Sequence, residues 1–300
     1  MGRILIGISS WADRGLVESD YYPAEVKTPA GRLRYYSQEF PIAELDASYH
    51  RFVTQKLLAF WLDNTPPGFV FDIRAFRLFT QHPTPAASLP RTVREQYPSL
   101  VEHQGNLYPH HLPPEALDDL WQGFARTAGV IKEVNKLGAV LFQFPPWFHP
   151  GQESFEYLEE CCRRLPDLTL AVEFRAASWF AAEHLEETLG FLRQRGLALV
   201  CVDEPQGCRS CLPPVAEVTA PLGLVRFHGR NREDWEKKGA GTDEKFNYLY
   251  NDDELEEWLP KVRRMAEQAP ELHVIFKNKH ADFTVRNARR FREMLNLLSP

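Results

Sequence analysis

Eight short apolar runs punctuate the chain, and each ends at a polar or charged cluster. Residues 4–8 lead into Ser9-Ser10-Trp11, 42–45 into Asp46, 69–73 into Arg74 and 139–142 into Gln143. Residues 170–174 hold Glu173 and end at Arg175, and 197–202 end at Asp203. Residues 222–227 hold Arg226 and end at His228, and 273–276 end at Lys277-Asn278. Parallel strands buried on both faces read as near-continuous apolar runs of this kind. Helical patterns at 32–39, 55–63, 114–136, 154–165, 183–195, 252–267 and 282–298 separate most of them. Pro66-Pro67-Gly68 and Gly196 supply stops, and Asn251-Asp252-Asp253-Glu254 supplies a start. Residues 204–220 hold prolines and a glycine with no helical period, which predicts a degenerate sixth helix. The alternation predicts the α/β class and a single (β/α)8 TIM-type barrel over residues 1–300, with its active site at the C-terminal strand ends.

Two segments break the alternation. Residues 76–113, after the third strand, are rich in proline and carry His82, His103, His110 and His111. A connection this long is expected to be a lid or binding loop, here a cap-like insertion over the barrel mouth. Residues 229–251 follow the seventh strand and mix Arg230, Arg232, Trp235, Lys237 and Lys238 with acidic residues, which predicts a solvated loop.

Side chains two apart on a strand share a face. Glu44 pairs in this way with Asp46, Asp72 with Arg74, Glu173 with Arg175, and Arg226 with His228. Their apolar alternates suit the helix-facing side, so these charged sets are expected to face the barrel axis near the rim. Asn278 and His280 continue the face of Val274 and Phe276 and are placed at the same rim. Buried charge must be paired or used. A wholly structural ring is disfavoured, because Val, Ile and Leu fill a barrel at less cost.

Composition narrows the function classes. The 300 residues are 44% hydrophobic, enough for a full core, and the formal net charge of −6 opposes a strongly basic nucleic-acid protein. No apolar stretch approaches the roughly 20 residues of a membrane helix, and the N-terminus has no signal-peptide pattern. Five cysteines do not make a disulfide framework in so long a chain, which points to a reducing, cytoplasmic setting.

An ordered set of motifs then carries a resemblance. They are Gly7-Ile8-Ser9-Ser10-Trp11, Tyr21-Tyr22-Pro23, Glu44-Leu45-Asp46-Ala47-Ser48-Tyr49, Gln143-Phe144-Pro145-Pro146 and Glu173-Phe174-Arg175 with Ser178-Trp179. Val225-Arg226-Phe227-His228-Gly229 and Asn278-Lys279-His280 with Arg286-Asn287-Ala288 follow. The chain resembles the YecE-like family, domain of unknown function 72, from first strand to last helix. The resemblance implies a TIM-type barrel and supplies no reaction. Relative to that pattern, Asp46 stands where many members have Asn, Arg74 where Lys is usual, and Lys279 for the second Asn of an Asn-Asn-His run.

The constellation supports several chemistries. Three converging arginines, Arg74, Arg175 and Arg226, suit a phosphate or carboxylate. Ser9, Trp11, Glu44, Asp46, Gln143, Trp179, Arg230 and Asn278 are further candidate ligand contacts. Glu173 and His228 are candidate proton carriers, with Asp203 and His280 supporting them. The leading expectation is an enzyme for a small anionic substrate, hydrolytic or isomerising. The alternatives are a metal-dependent phosphodiesterase or endonuclease-like enzyme acting on nucleic acid, and a non-catalytic binder of an anionic ligand. A divalent metal is not favoured, because no HxH or HExxH spacing occurs. A glycosidase would use Glu173 with Glu44 or Asp203, with Trp11, Trp147 and Trp179 stacking on sugar rings, and three arginines suit a neutral sugar poorly. Cys208 and Cys211 form a lone CxxC, either half a zinc site completed by a cap histidine or a redox pair.

Overall fold

The computed structural model describes residues 1–208, 210–237, 239 and 241–297, side chains of Thr242 and Asp243 excepted. Eight parallel strands close into a barrel: β1 Arg3–Ser9, β2 Ile42–Leu45, β3 Val70–Arg74, β4 Leu137–Gln143, β5 Leu170–Glu173, β6 Ala198–Asp203, β7 Leu222–Phe227 and β8 Glu271–Phe276. Each strand pairs with its sequence neighbours, and β8 closes on β1. Helices Pro29–Glu39, Gln55–Asp63, Pro114–Glu133, Gln152–Arg164, Leu185–Arg195 and Phe283–Met294 surround it. Between β6 and β7 no helix forms among the described residues, as the prolines there predict. The pattern over 252–267 breaks into Asp252–Glu256 and Leu259–Gln268. Pro260 sits in the first turn of the second piece, the helical position that tolerates its missing N–H.

Alternation divides each strand cleanly. Val140, Phe142, Val172, Phe174, Val225, Phe227, Val274 and Phe276 face the helices in the main apolar core. Leu5, Ile42, Val70 and Ile275, with Ala139, Leu141, Ala171, Ala198, Val200, Leu222 and Leu224, fill the barrel. One charged pair lies among them. His273 Nδ1 meets the Asp72 carboxylate at 2.9 Å, and Asp72 also accepts the Ala139 N–H at 2.9 Å. Gly138 makes room for this pair, since a Cβ there would stand 2.5 Å from Asp72 Oδ1 and 2.6 Å from His273 Cε1. Gly138→Ala is therefore expected to lower unfolding free energy by about 1–3 kcal/mol through overpacking, read as a lower urea midpoint with an unchanged slope.

The segment after β3 is anchored rather than loose. Phe79 stacks on Trp121 of helix Pro114–Glu133 at 3.8 Å, and Leu89, Val93, Leu100 and Leu107 join the same apolar cluster. Thr84–Pro85 pairs antiparallel with Asn106–Leu107. The three histidine rings at 103, 110 and 111 cluster together, while His82 lies apart near Tyr49. Cys208 and Cys211 are joined by a disulfide. This is the arrangement expected of the redox-pair reading of the CxxC, not of half a zinc site. The bond closes a four-residue loop, whereas a framework would link distant elements. Among the described residues no helix is long and apolar enough to cross a membrane.

Candidate active site

The C-terminal strand ends gather one connected ion network around the barrel axis. Arg226, fully buried on β7, donates to Glu173 of β5 and to Glu44 of β2, the latter at 2.7 Å. Glu173 Oε1 also accepts from Gln143 Nε2 at 2.7 Å and meets His228 Nε2 at 3.0 Å. Gln143 is a relay, because its amide oxygen accepts from Arg74. Arg74 in turn holds Asp46 at 3.1 Å. Arg175 bridges Glu173 and Glu204. Lys277 lies 3.5 Å from Asp46 and 3.8 Å from Glu44, and Lys279 spans Asp46 and Asp13.

Electrostatics follow from this crowding. Burial works against charge on Glu173 and on Asp46, yet neighbouring cations outweigh it. Arg226 and Arg175, with a hydrogen bond from His228, hold Glu173 well below the usual carboxylate range. Lys277, Lys279 and Arg74 do the same for Asp46. Burial lowers Lys277 to about 7, helped by Arg74 and opposed by Asp46. Burial also pushes His228 down to about 3, against the pull of Glu173. A neutral His228 facing an ionised Glu173 donates its Nε2–H, which leaves Nδ1 as an acceptor. That Nδ1 is buried without a partner, and the ring lies against Phe246. Ser9 Oγ, Arg74 Nε and Arg226 Nε are likewise buried and unpartnered.

Nine of the sequence candidates meet at the strand ends: Ser9, Glu44, Asp46, Arg74, Gln143, Glu173, Arg175, Arg226 and His228. Six do not join the network. Asp203 shares the outward face of Leu199 and Cys201, where Arg230, Tyr250 and Trp258 hold it from the helical layer. Arg230 is thus committed to Asp203 and Glu257. Trp179 is fully buried, stacked on Phe174 at 4.0 Å, and Trp11 packs against Tyr36 and Phe71. Asn278 bonds Tyr248 and Asn287 on the outer side. His280 is exposed and lines a cleft of about 390 Å³ with Asp13, Arg14 and Lys279.

Lys277, Lys279 and Glu204 were missed, and strand alternation would have found them. Lys277 and Lys279 continue the inward face of His273 and Ile275, opposite Asn278. Glu204 continues the inward face of Ala198, Val200 and Val202, one residue beyond Asp203. The apolar alternates lie on the helix-facing side as expected, whereas Asn278, His280 and Asp203, expected on the barrel axis, lie off it. Metal ligation finds little in this arrangement, because the carboxylates are taken by Arg and Lys. Among the described residues no three His, Cys, Asp or Glu side chains are grouped to hold an ion.

A closed parallel barrel with helices between its strands and a polar cluster at its C-terminal end defines a TIM-type (β/α)8 barrel protein. Residues 5–299 match the family model described as protein of unknown function DUF72. The chain belongs to that family. It is 30% identical over 298 residues to the UPF0759 protein YunF of Bacillus subtilis, covering 98% of this chain and 95% of that one. A DUF72 family protein from Enterococcus faecalis superposes with a TM-score of 0.80 at 26% identity, over 99% of this chain and 97% of that one. Another from Thermotoga maritima gives 0.75 at 28% identity, over 98% and 99%.

Proposed function

We propose that this chain is an enzyme that seats a phosphate-bearing or otherwise anionic substrate at its C-terminal rim and moves a proton there, in hydrolysis or isomerisation. One observation carries the reading. Arg74 Nε, Arg226 Nε and Ser9 Oγ are buried donors without a protein partner, and such donors are rare unless something else accepts from them. A phosphate or carboxylate supplies several acceptor oxygens to N–H groups of guanidinium. The rim is not a free positive field. Its five cations, Arg74, Arg175, Arg226, Lys277 and Lys279, face five carboxylates, Asp13, Glu44, Asp46, Glu173 and Glu204. Specific donors, not net charge, would do the recognising.

His228 is the proton carrier in this scheme. Glu173 is saturated by Arg226, Gln143 and His228, so it orients the imidazole instead of taking the proton itself. Nδ1 of the neutral ring is then the atom that would take the proton. Because burial holds the ring down at about 3, it needs the ionised Glu173 behind it to stabilise the imidazolium as it forms. The metal-dependent phosphodiester reading has no ligand group among the described residues to rest on. The glycosidase reading loses Trp11 and Trp179 to the core and keeps only the exposed Trp147.

Titration calorimetry tests the proposal. Wild type is expected to bind ribose 5-phosphate and not ribose. Arg74→Ala keeps its fold, because Lys277 and Lys279 still face Asp46. Loss of its charge-assisted bonds is expected to weaken ribose 5-phosphate binding by about ten- to hundred-fold. Equal affinity of wild type and variant, or no preference for the phosphorylated sugar, would overturn it.

A further inference from the structure

Beside the cations, one wall of the rim is aromatic. Trp147 lies four residues past Gln143 and is 56% exposed, while the other six tryptophans are at most 7% exposed. Its ring centroid is 6.0 Å from that of His82, and His82 is 5.5 Å from Tyr49. Tyr49 carries the Arg74 guanidinium over its face at 4.1 Å and Arg77 at 5.5 Å. Neither Tyr49 nor Trp147 belongs to the apolar core. The row therefore runs from the buried network out to solvent through Arg74, Tyr49, His82 and Trp147.

The row is held in place. Gln81 adopts a left-handed backbone, φ 58°, that turns the chain back toward the rim. His82 N–H then donates to Arg77 O at 3.0 Å, and its Nδ1 meets Thr80 Oγ1 at 2.9 Å. Burial, with Arg74 and Arg77 nearby, pushes His82 down to about 4, so the ring is neutral and offers a π-face without added cationic charge. Arg77 Nε is a further buried donor without a partner on this wall. The exposed Trp147 offers a large planar face, and planar rings cover such faces by stacking.

His82 stands edge-on beside Trp147 at 63°, and the Tyr49 face is already covered by Arg74. From this we infer that the exposed face of Trp147 is a stacking subsite for a planar heteroaromatic ring, so that the substrate is nucleotide-like, a ring joined to a phosphate. The inference rests on the anion-binding reading for the phosphate half. The ring half rests on the aromatic wall alone. The same wall would also suit the apolar face of a sugar, which the choice of ligands separates.

The test is calorimetry of wild type and Trp147→Ala with adenosine monophosphate and ribose 5-phosphate. Wild type should bind the nucleotide more tightly than the sugar phosphate by about five- to hundred-fold, the range for one base on one aromatic side chain. Trp147→Ala should lose that preference and keep ribose 5-phosphate affinity within about two-fold. Ribose 5-phosphate binding with no preference for the nucleotide would overturn the ring subsite and leave the anion site standing. A preference that survives in Trp147→Ala would place the ring elsewhere and overturn it too. Failure of both ligands to bind would overturn both proposals.

Discussion

Arg226→Met is expected to lower unfolding free energy by about 3–5 kcal/mol, the largest loss from any single change at the rim. Arg226 is fully buried between two strands on opposite sides of the barrel, and both carboxylates it joins are buried too. Removing it strands Glu44 with only Lys277 at 3.8 Å. Glu173 keeps Gln143, His228 and a long contact to Arg175. A buried charge without its partner cannot recover its hydration, so the loss exceeds the worth of the pair itself. The triple replacement of Glu44 and Glu173 by Leu with Arg226 by Met removes the stranded charges as well. It should recover most of that stability while abolishing ligand binding. Urea unfolding at neutral pH reads both. A loss below about 1 kcal/mol for Arg226→Met, the scale of a surface pair, would mean that the network is solvated.

The second large effect appears in stability against pH. Burial opposes the charge on His273, but Asp72 and Glu271 outweigh it and raise it to about 9. The unfolded histidine titrates near 6.5. Its stabilisation is therefore complete below that value and is lost as pH rises through about 9. Lys277 runs the other way. It is lowered to about 7 when folded and titrates near 10.4 when unfolded, so stability is gained as pH rises between those values. The two slopes oppose each other between pH 7 and 9, and the wild-type profile should be nearly flat there. Lys277→Met removes one slope and leaves the other. Its stability should fall by about 3 kcal/mol more than wild type across that interval, measured by urea unfolding at steps of pH. Parallel profiles for the two proteins would show that Lys277 is charged in the folded state at these pH values.

Most of the barrel was legible because its signals are local. A strand buried on both faces must be apolar throughout, and the chemistry at its end marks where it stops, so 42–45 and 222–227 match their observed bounds. The degenerate connection after β6 was equally plain, since proline cannot continue a helix. Position within the rim was harder. Asp203 and Glu204 are adjacent acids, and only the inward face of Val200 and Val202 tells which one enters the barrel. The same parity places Lys277 and Lys279 inward and Asn278 outward. Trp179 looked like a sugar platform, yet nothing local distinguishes it from a core tryptophan seated on Phe174. Partnerships such as Arg226 with Glu44, 182 residues apart, depend on barrel closure and have no sequence signature. Trp147 and His82 come from different loops, and their proximity to Tyr49 is likewise a product of the closed fold.

A crystal structure of the protein grown with inorganic phosphate tests the central claim most directly, because it asks where the unpartnered donors send their hydrogen bonds. Phosphate density at the end of the barrel axis, within hydrogen-bond distance of Arg74 Nε or Arg226 Nε once the side chains that enclose them have moved aside, is the predicted result. A barrel mouth without phosphate, or phosphate bound only in the cleft beside Asp13 and His280, would contradict it.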